Sequence, residues 1–296
     1  MTDANLRQRT DEEVLWLKAV PFFLVHLAPL GLLWTGFGLR DAVLCAGLYF
    51  ARMFFITAGF HRYFAHRAYK MGRVMQWVMA WGGSTSCQKG VLWWAAHHRA
   101  HHRYSDTDRD IHSPKRGFWW SHLGWILCGK YQATDWASIR DFSKYPELVW
   151  LNKYHLVPGV ALGAACFLGG GWSGLWTFFL STTLLYHGTF SINSLMHLWG
   201  RRRYATTDTS RNSFLLALIT MGEGWHNNHH YYQSTANQGF FWWELDASYY
   251  LLKLLSWVGL VRDLRVPPKR VLTRKLVSGG RDPAAPADPD RAVAGA

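Results

Sequence analysis

The sequence predicts an all-α fold, a four-helix transmembrane bundle of two hairpins beneath a helical cap, and three observations carry that expectation. Aromatic residues reach 16% and charged residues only 17%, a balance expected where helices face lipid and rings sit at its interface. The apolar residues gather in long runs, and a helix of about 20 apolar residues spans a bilayer core. Between the runs lies WWAAHHRAHH, Trp93 to His102, in which His98, His101 and His102 stand at i, i+3 and i+4, three imidazoles on one helical face.

In chain order, residues 1–60 hold an N-terminal segment and the first hairpin. The N-terminal stretch MTDANLRQRTDEEV lacks the pattern of a secretory signal. An apolar run from Leu15 to Leu39 has Lys18 near its start, where a long side chain snorkels to the interface. After the turn at Gly38 a second run, Ala42 to Phe60, is interrupted by Arg52; a charge at that depth is tolerated only facing protein or water. Residues 61–153 have no uninterrupted span and read as amphipathic helices of a cytosolic cap lying against the membrane face. Residues 154–197 form the second hairpin, turning at Gly169 to Gly171 and ending near Asn193 and His197. Residues 198–277 return to the cap, where FFWWELDASYYLLKLLSWVGL holds Glu244, Asp246 and Lys253 and so reads as an interfacial helix. From Ser278 to Ala296 the Gly, Pro, Ala and Asp composition reads as a disordered tail.

The net charge of +13 raises nucleic acid as a partner, but its distribution points elsewhere. Of the 32 Lys and Arg, 27 fall in residues 61–153 and 201–296, the segments that flank the apolar runs. The positive-inside rule then places both termini and the histidine motifs of a multi-pass protein in the cytoplasm. Such a surface suits membrane lipids or an acidic redox partner, with no role for nucleic acid. Cys45, Cys87, Cys128 and Cys166 lack metal or redox spacing and read as reduced packing residues.

The histidine triplet recurs at His226, His229 and His230, and His61, His66 and His197 bring the total in motifs to nine. Nine imidazoles exceed what one metal takes and suffice for two sites of four or five ligands. Imidazole suits zinc, copper, iron and nickel alike, so ligand type leaves the metal open. No HExxH occurs, which argues against a zinc hydrolase. A two-metal site at the cytoplasmic mouth of an apolar bundle favours oxygen chemistry on a lipid. His26, His112, His122, His155 and His187 lack motif spacing and read as packed histidines.

The segments ITAGFHRYFAH, HHRAHH, NSLMH and GEGWHNNHH, in this order between these apolar runs, resemble the histidine boxes of the membrane fatty acid desaturases, nearest the stearoyl-CoA branch. The resemblance spans roughly residues 15–265. It implies four spans, a cytosolic cap with a non-haem di-iron centre, and use of O2 and two electrons to insert a cis double bond, Δ9 in this branch, into a long acyl chain. Carried over, the iron ligands are His61, His66, His98, His101, His102, His197, His226, His229 and His230, with Asn193 reaching a metal through water. Glu223, the aspartates after Tyr104 and His97 are candidate partners of the ligating imidazoles. Ala96 and His97 replace an arginine and aspartate that help hold the head-group region in the animal enzymes. Trp94 matches a family tryptophan near the substrate channel. Tyr49 and Met53, three turns and two turns below His61, occupy positions that limit chain length. With no haem or cluster motif in the chain, electrons come from a separate ferredoxin, rubredoxin or cytochrome b5 type donor and its reductase. The rivals are a related lipid or alkane hydroxylase and a non-catalytic metal-binding transporter. The transporter expects ionisable residues along the spans instead of at one face.

Overall fold

The computed structural model describes residues 12–277, so the expectations for the extreme N-terminus and for the tail from residue 278 lie outside the described residues. Among the described residues, two helical rods are long and apolar enough to cross a membrane. The first, Trp16–Thr35, contains α1 (Trp16–Leu27) and tightens into a 3₁₀ turn after it. The second, Leu39–Ala65, begins with α2 (Leu39–Phe54). A bent pair, Pro146–Lys153 and Val157–Leu198, meets the same test as one broken unit, with a bend of 66°.

Local chemistry sets where these rods start and stop. Gly36, at φ +80°, takes the left-handed backbone that ends the first rod, and the Gly38 N–H donates to Asp41 Oδ2 (3.0 Å) to open α2. Within α2, Arg52 faces protein: Nε donates to the Leu48 carbonyl, Nη1 to Thr182 Oγ1 at 2.7 Å and Nη2 to Ser181 Oγ. All of these acceptors are neutral, so the charge is solvated by protein hydroxyls in place of water.

Beyond Phe54 the second rod rewinds into a π-helix, Phe55–Ala65, an unexpected feature with a direct consequence. Its hydrogen bonds run i to i+5, as in His66 N–H to the His61 carbonyl (3.2 Å), and this winding brings the two rings to 4.8 Å. In an α-helix residues five apart diverge around the axis. The packing is close enough that a Cβ on Gly82 would lie 2.5 Å from the Phe55 ring.

Helix α3 (Arg73–Ser84) packs on this segment, and α4 (Val91–Tyr104) carries the first triplet. The N-terminal amides of α4 at Leu92 and Trp93 donate to Asn152 Oδ1 of α5 (Pro146–Lys153), a cap supplied from 60 residues away. Arg99 of α4 donates to the Phe64 and Ala65 carbonyls and pairs with Asp141, fixing the triplet helix against the end of the second rod.

Helix α6 (Val157–Asn193) is interrupted at Gly171, whose φ of +60° and ψ of −151° break it into two arms. The arms double back, since Gly174 lies against the Cys166 carbonyl and a Cβ on Gly163 would lie 3.3 Å from Phe178. Arg40 donates to the Gly169 carbonyl at 2.6 Å, which sets the two hairpin tips side by side. The described residues are mainly helical as expected; among them β1 (Lys70–Met71) and β2 (Val261–Arg262) pair antiparallel, Lys70 opposite Arg262. Helices α7 (His226–Tyr231) and α8 (Ala247–Trp257) follow the second arm in the chain.

Candidate metal centre

The nine imidazoles converge in two groups, five and four. His61, His66, His98, His102 and His229 form one, and His101, His197, His226 and His230 the other, with the ligand atoms of each group within 4.8 Å of one another. Each triplet is divided. His98 and His102 of α4 join the first group and His101 the second, while His226 and His230 of α7 join the second and His229 the first.

The donor set fits a metal in each group. In the first, Nε2 atoms approach one another at 2.9–3.0 Å: His61 to His229, His229 to His102, His102 to His98 and His98 to His66. A neutral Nε2 either donates once or accepts once, so His98, His102 and His229 cannot serve both neighbours. In the second, His226 and His197 Nε2 stand 3.2 Å apart and the buried His230 Nε2 has no hydrogen-bond partner. Inward-facing lone pairs answer to a cation.

Carboxylates orient several rings from behind. His230 Nδ1 donates to Asp208 Oδ2 at 2.7 Å and His101 Nδ1 to Asp110 Oδ1 at 3.0 Å; His61 Nδ1 lies 2.6 Å from Glu223 Oε2 and His197 Nδ1 3.4 Å from Asp106 Oδ2. A proton held on Nδ1 leaves the lone pair on Nε2, the ligand form. Burial, and then the charge a neighbouring imidazolium would carry, hold His66, His98, His102, His226 and His229 well below the ordinary histidine range. They are therefore neutral at pH 7. Burial would raise Asp110 and Asp208, but the charge that His101 and His230 would carry if protonated, with the N–H each donates, outweighs it and both carboxyls stay well below their usual range.

A buried ion-pair network supports the first group. Arg62, with no exposure, donates to Glu223 Oε1 (3.0 Å) and to both oxygens of Asp246 (2.9 and 3.0 Å), linking the first histidine motif to α7 and α8. Sequence reading missed Arg62, Asp246 and Asp208. The one available signal was Arg62 itself, a cation at the end of an apolar run. His112, read as a packed histidine, has its ring 4.2 Å from that of His101, and burial followed by His101 pushes its pKa down to about 3.

An apolar cavity of about 560 Å³ reaches His61, His98, Asn193 and Glu223 at its inner end, with Trp94 in its wall. That volume lies within the roughly 300–1,000 Å³ of ligand pockets. Tyr49 and Met53 do not line it. On their helix the cavity stops at Ile56 and Thr57, and Met53 packs with Leu185 and Met221 while the Tyr49 hydroxyl donates to the Ile219 carbonyl. His97 stands outside both groups, its Nδ1 2.9 Å from the Trp93 carbonyl. A separate polar cleft of about 360 Å³ reaches His102 and His230 past Arg103, Lys115 and Lys275.

Helices long and apolar enough to cross a membrane, joined to two histidine groups that could each hold a metal ion beside an apolar cavity, are the arrangement of a membrane enzyme class with a histidine-rich metal site. The chain belongs to the fatty acid desaturase family, whose model, "Fatty acid desaturase", matches residues 34–256. It is 36% identical over 228 residues to a "sn-1 stearoyl-lipid 9-desaturase" of Synechocystis, covering 74% of this chain and 70% of that protein. It is 38% identical over 216 residues to "Delta-9 acyl-lipid desaturase 2" of Arabidopsis thaliana, covering 72% and 70%. Against an "Acyl-CoA C20 Delta5-desaturase" of Anemone leveillei it is 34% identical over 241 residues, covering 78% and 76%.

Proposed function

We propose that this protein is an O2-dependent acyl desaturase that inserts a cis double bond, at Δ9, into a long saturated acyl chain. The observation that carries the reading is the apolar cavity that runs to His61 and His98 of the five-histidine group. The nine histidines would hold two irons, with Asn193 reaching one through water; bound there, the pair supplies the oxidising power to remove hydrogen from an unactivated chain.

The protein's own groups do the rest. Ile56, Trp94 and Phe190 line an apolar wall that binds the chain, excludes water and limits which methylenes reach the site. Asp110, Asp208 and Glu223 keep the ligating imidazoles in one tautomer and orientation. The polar cleft beside His102 and His230 gives electrons and protons a route apart from the acyl cavity, and its basic rim suits an acidic ferredoxin, rubredoxin or cytochrome b5 type donor. We place the protein in the membrane as four spans, with both termini and the histidine motifs on the cytoplasmic side. The adjacent hairpin tips at Arg40 and Gly169 support that arrangement. The test is to reconstitute the iron-loaded protein with a reducing system and saturated acyl substrates and follow the products by mass spectrometry. A cis-9 alkene formed with O2 uptake is expected; a hydroxylated product, or no O2 uptake, would overturn the reading.

A further inference from the structure

The outer end of the acyl cavity carries chemistry that chain binding does not require. Its lining includes Lys18, Lys89, Gln88 and Gln132, while one long wall is the first rod, from Lys18 through Phe22 to Val25, with Leu15 just before it. Leu17, Leu24 and Leu27 of the same rod are 90%, 58% and 57% exposed, an apolar surface that belongs against lipid. The cavity mouth therefore lies beside the bilayer, where a membrane lipid reaches it without leaving the membrane.

The two lysines lack a carboxylate partner among the described residues. Lys89 Nζ donates to Gln132 Oε1 and sits 5.9 Å over the Trp93 ring, both neutral groups. Burial first, and then the charge of Lys18, hold the Lys89 pKa below the ordinary lysine range. Two cations facing one opening without a counter-ion make a local positive potential that an anion relieves.

The backbone gives an independent indication. Lys89 adopts φ +68°, two residues after Cys87 at +57° and directly before Gly90. Glycine takes this conformation without strain and lysine does not, so the local fold gives no reason for lysine here. The side chain is what the position uses.

We propose that Lys18 and Lys89 form a head-group clamp, and that the acyl chain arrives sideways from the bilayer on an anionic, phosphate-bearing lipid. This rests on the acyl-chain reading of the cavity and specifies the carrier. A phosphodiester presents oxygen acceptors that two ammonium donors bind as point charges. Gln88 adds a neutral donor beside it, its buried Nε2 having no hydrogen-bond partner among the described residues, and the chain passes inward along Phe22 toward His61.

The experiment is an internal competition with the full-length, iron-loaded protein in nanodiscs. Stearoyl phosphatidylglycerol, phosphatidylcholine and monogalactosyldiacylglycerol, each with a distinct isotope in the acyl chain, are offered together, with stearoyl-CoA added outside. The ratio of product labels reads the ratio of kcat/KM values whatever the total activity. The expected result favours phosphatidylglycerol over the neutral galactolipid on the order of tenfold, the effect of one charge-assisted hydrogen bond. Lys89→Gly, which relaxes the backbone, and Lys18→Gln are each expected to bring that ratio toward one, and Lys89→Arg to retain it. A wild-type ratio near one, or a ratio that neither variant changes, overturns the clamp. Lysine-dependent preference for stearoyl-CoA overturns the membrane source. If the wild type forms no double bond in any substrate, the desaturase reading itself has failed, which is a distinct result.

Discussion

Replacing Asp208 by Asn should remove metal from one histidine group and leave the other loaded. Asp208 Oδ2 accepts from His230 Nδ1 at 2.7 Å, while Oδ1 accepts from the Ser210 amide at 3.0 Å and the Thr206 hydroxyl at 2.9 Å. In Asp208→Asn those donors hold the amide oxygen in the Oδ1 position, so the amide NH2 faces His230. Two donors then oppose each other, and the clash is relieved by moving the His230 proton from Nδ1 to Nε2. Nε2 is the atom that faces the other imidazoles of the four-histidine group. The change removes a ligand lone pair while altering no atom of His230, and loss of such a supporting partner typically costs 10–100-fold in metal affinity or activity. Converted to energy this is about 1.4–2.8 kcal/mol. The assay is iron per chain against free iron, with Mössbauer spectra to count sites. The wild type should hold two irons, and the variant should lose one of them at a free concentration where the other stays bound. Asp208→Glu, which keeps an acceptor, should recover part of the loss. Equal loss from both groups, or full occupancy in Asp208→Asn, would refute the tautomer argument.

Other outcomes follow from the same geometry. His101→Ala and His229→Ala, one ligand from each group, should each abolish desaturation while the circular dichroism spectrum stays helical; retained turnover would remove that residue from the centre. Arg62→Met should destabilise the fold by about 3–5 kcal/mol, because Glu223 and Asp246, each 1% exposed, lose their buried cation. The triple variant with Glu223→Gln and Asp246→Asn, which removes both charges and keeps an oxygen acceptor for the Tyr249 amide at the start of α8, should recover most of that in denaturant titration, and no recovery would mean that the ion pairs are not the cause. Raising salt should increase KM for the reductant more than KM for the acyl substrate, since exposed charges such as Arg103, Lys115 and Lys275 are screened beyond roughly 8–10 Å. A salt-independent reductant KM would remove electrostatic docking. Met53→Ala should extend the accepted chain and Met53→Trp shorten it. Met53 lies three residues, about 4.5 Å, below the cavity end at Ile56, so an unchanged product profile in both variants would mean that the chain turns elsewhere.

Periodicity made the elements legible, and long-range partners were where it ran out. The apolar runs announced the first two rods, and Gly171 is one of the glycines at which the sequence placed the second turn. The interior role of Arg52 was one of two readings, and Ser181 and Thr182, 129 and 130 residues away, are what decide it. The π-helix was not legible, because sequence periodicity is read at 3.6 residues per turn and an i, i+5 pair such as His61 and His66 then falls on diverging faces. Asp208 escaped for a related reason: a carboxylate 22 residues from His230 carries no spacing signal and resembles any turn aspartate.

The splitting of each triplet between two groups was, by contrast, already encoded in the spacing. At 3.6 residues per turn successive side chains are about 100° apart, so i+4 lies about 40° to one side of i and i+3 about 60° to the other. A triplet at i, i+3 and i+4 therefore spreads over about 100° of helix surface, too wide for one small ion and suited to two ions side by side. The i, i+4 pair has the narrower angle and stays together, leaving i+3 to the second site. Helix α4 does this with His98 and His102 against His101, and α7 repeats it with His226 and His230 against His229. The two helices face each other with their assignments exchanged, so each group receives one pair and one single histidine. That exchange supplies three ligands to each side from two short motifs, and the remainder is met by His61 and His66 on one side and His197 on the other. The five-to-four asymmetry thus comes from the chain outside the triplets, and it is the rewound end of the second rod that gives the first group its extra imidazole.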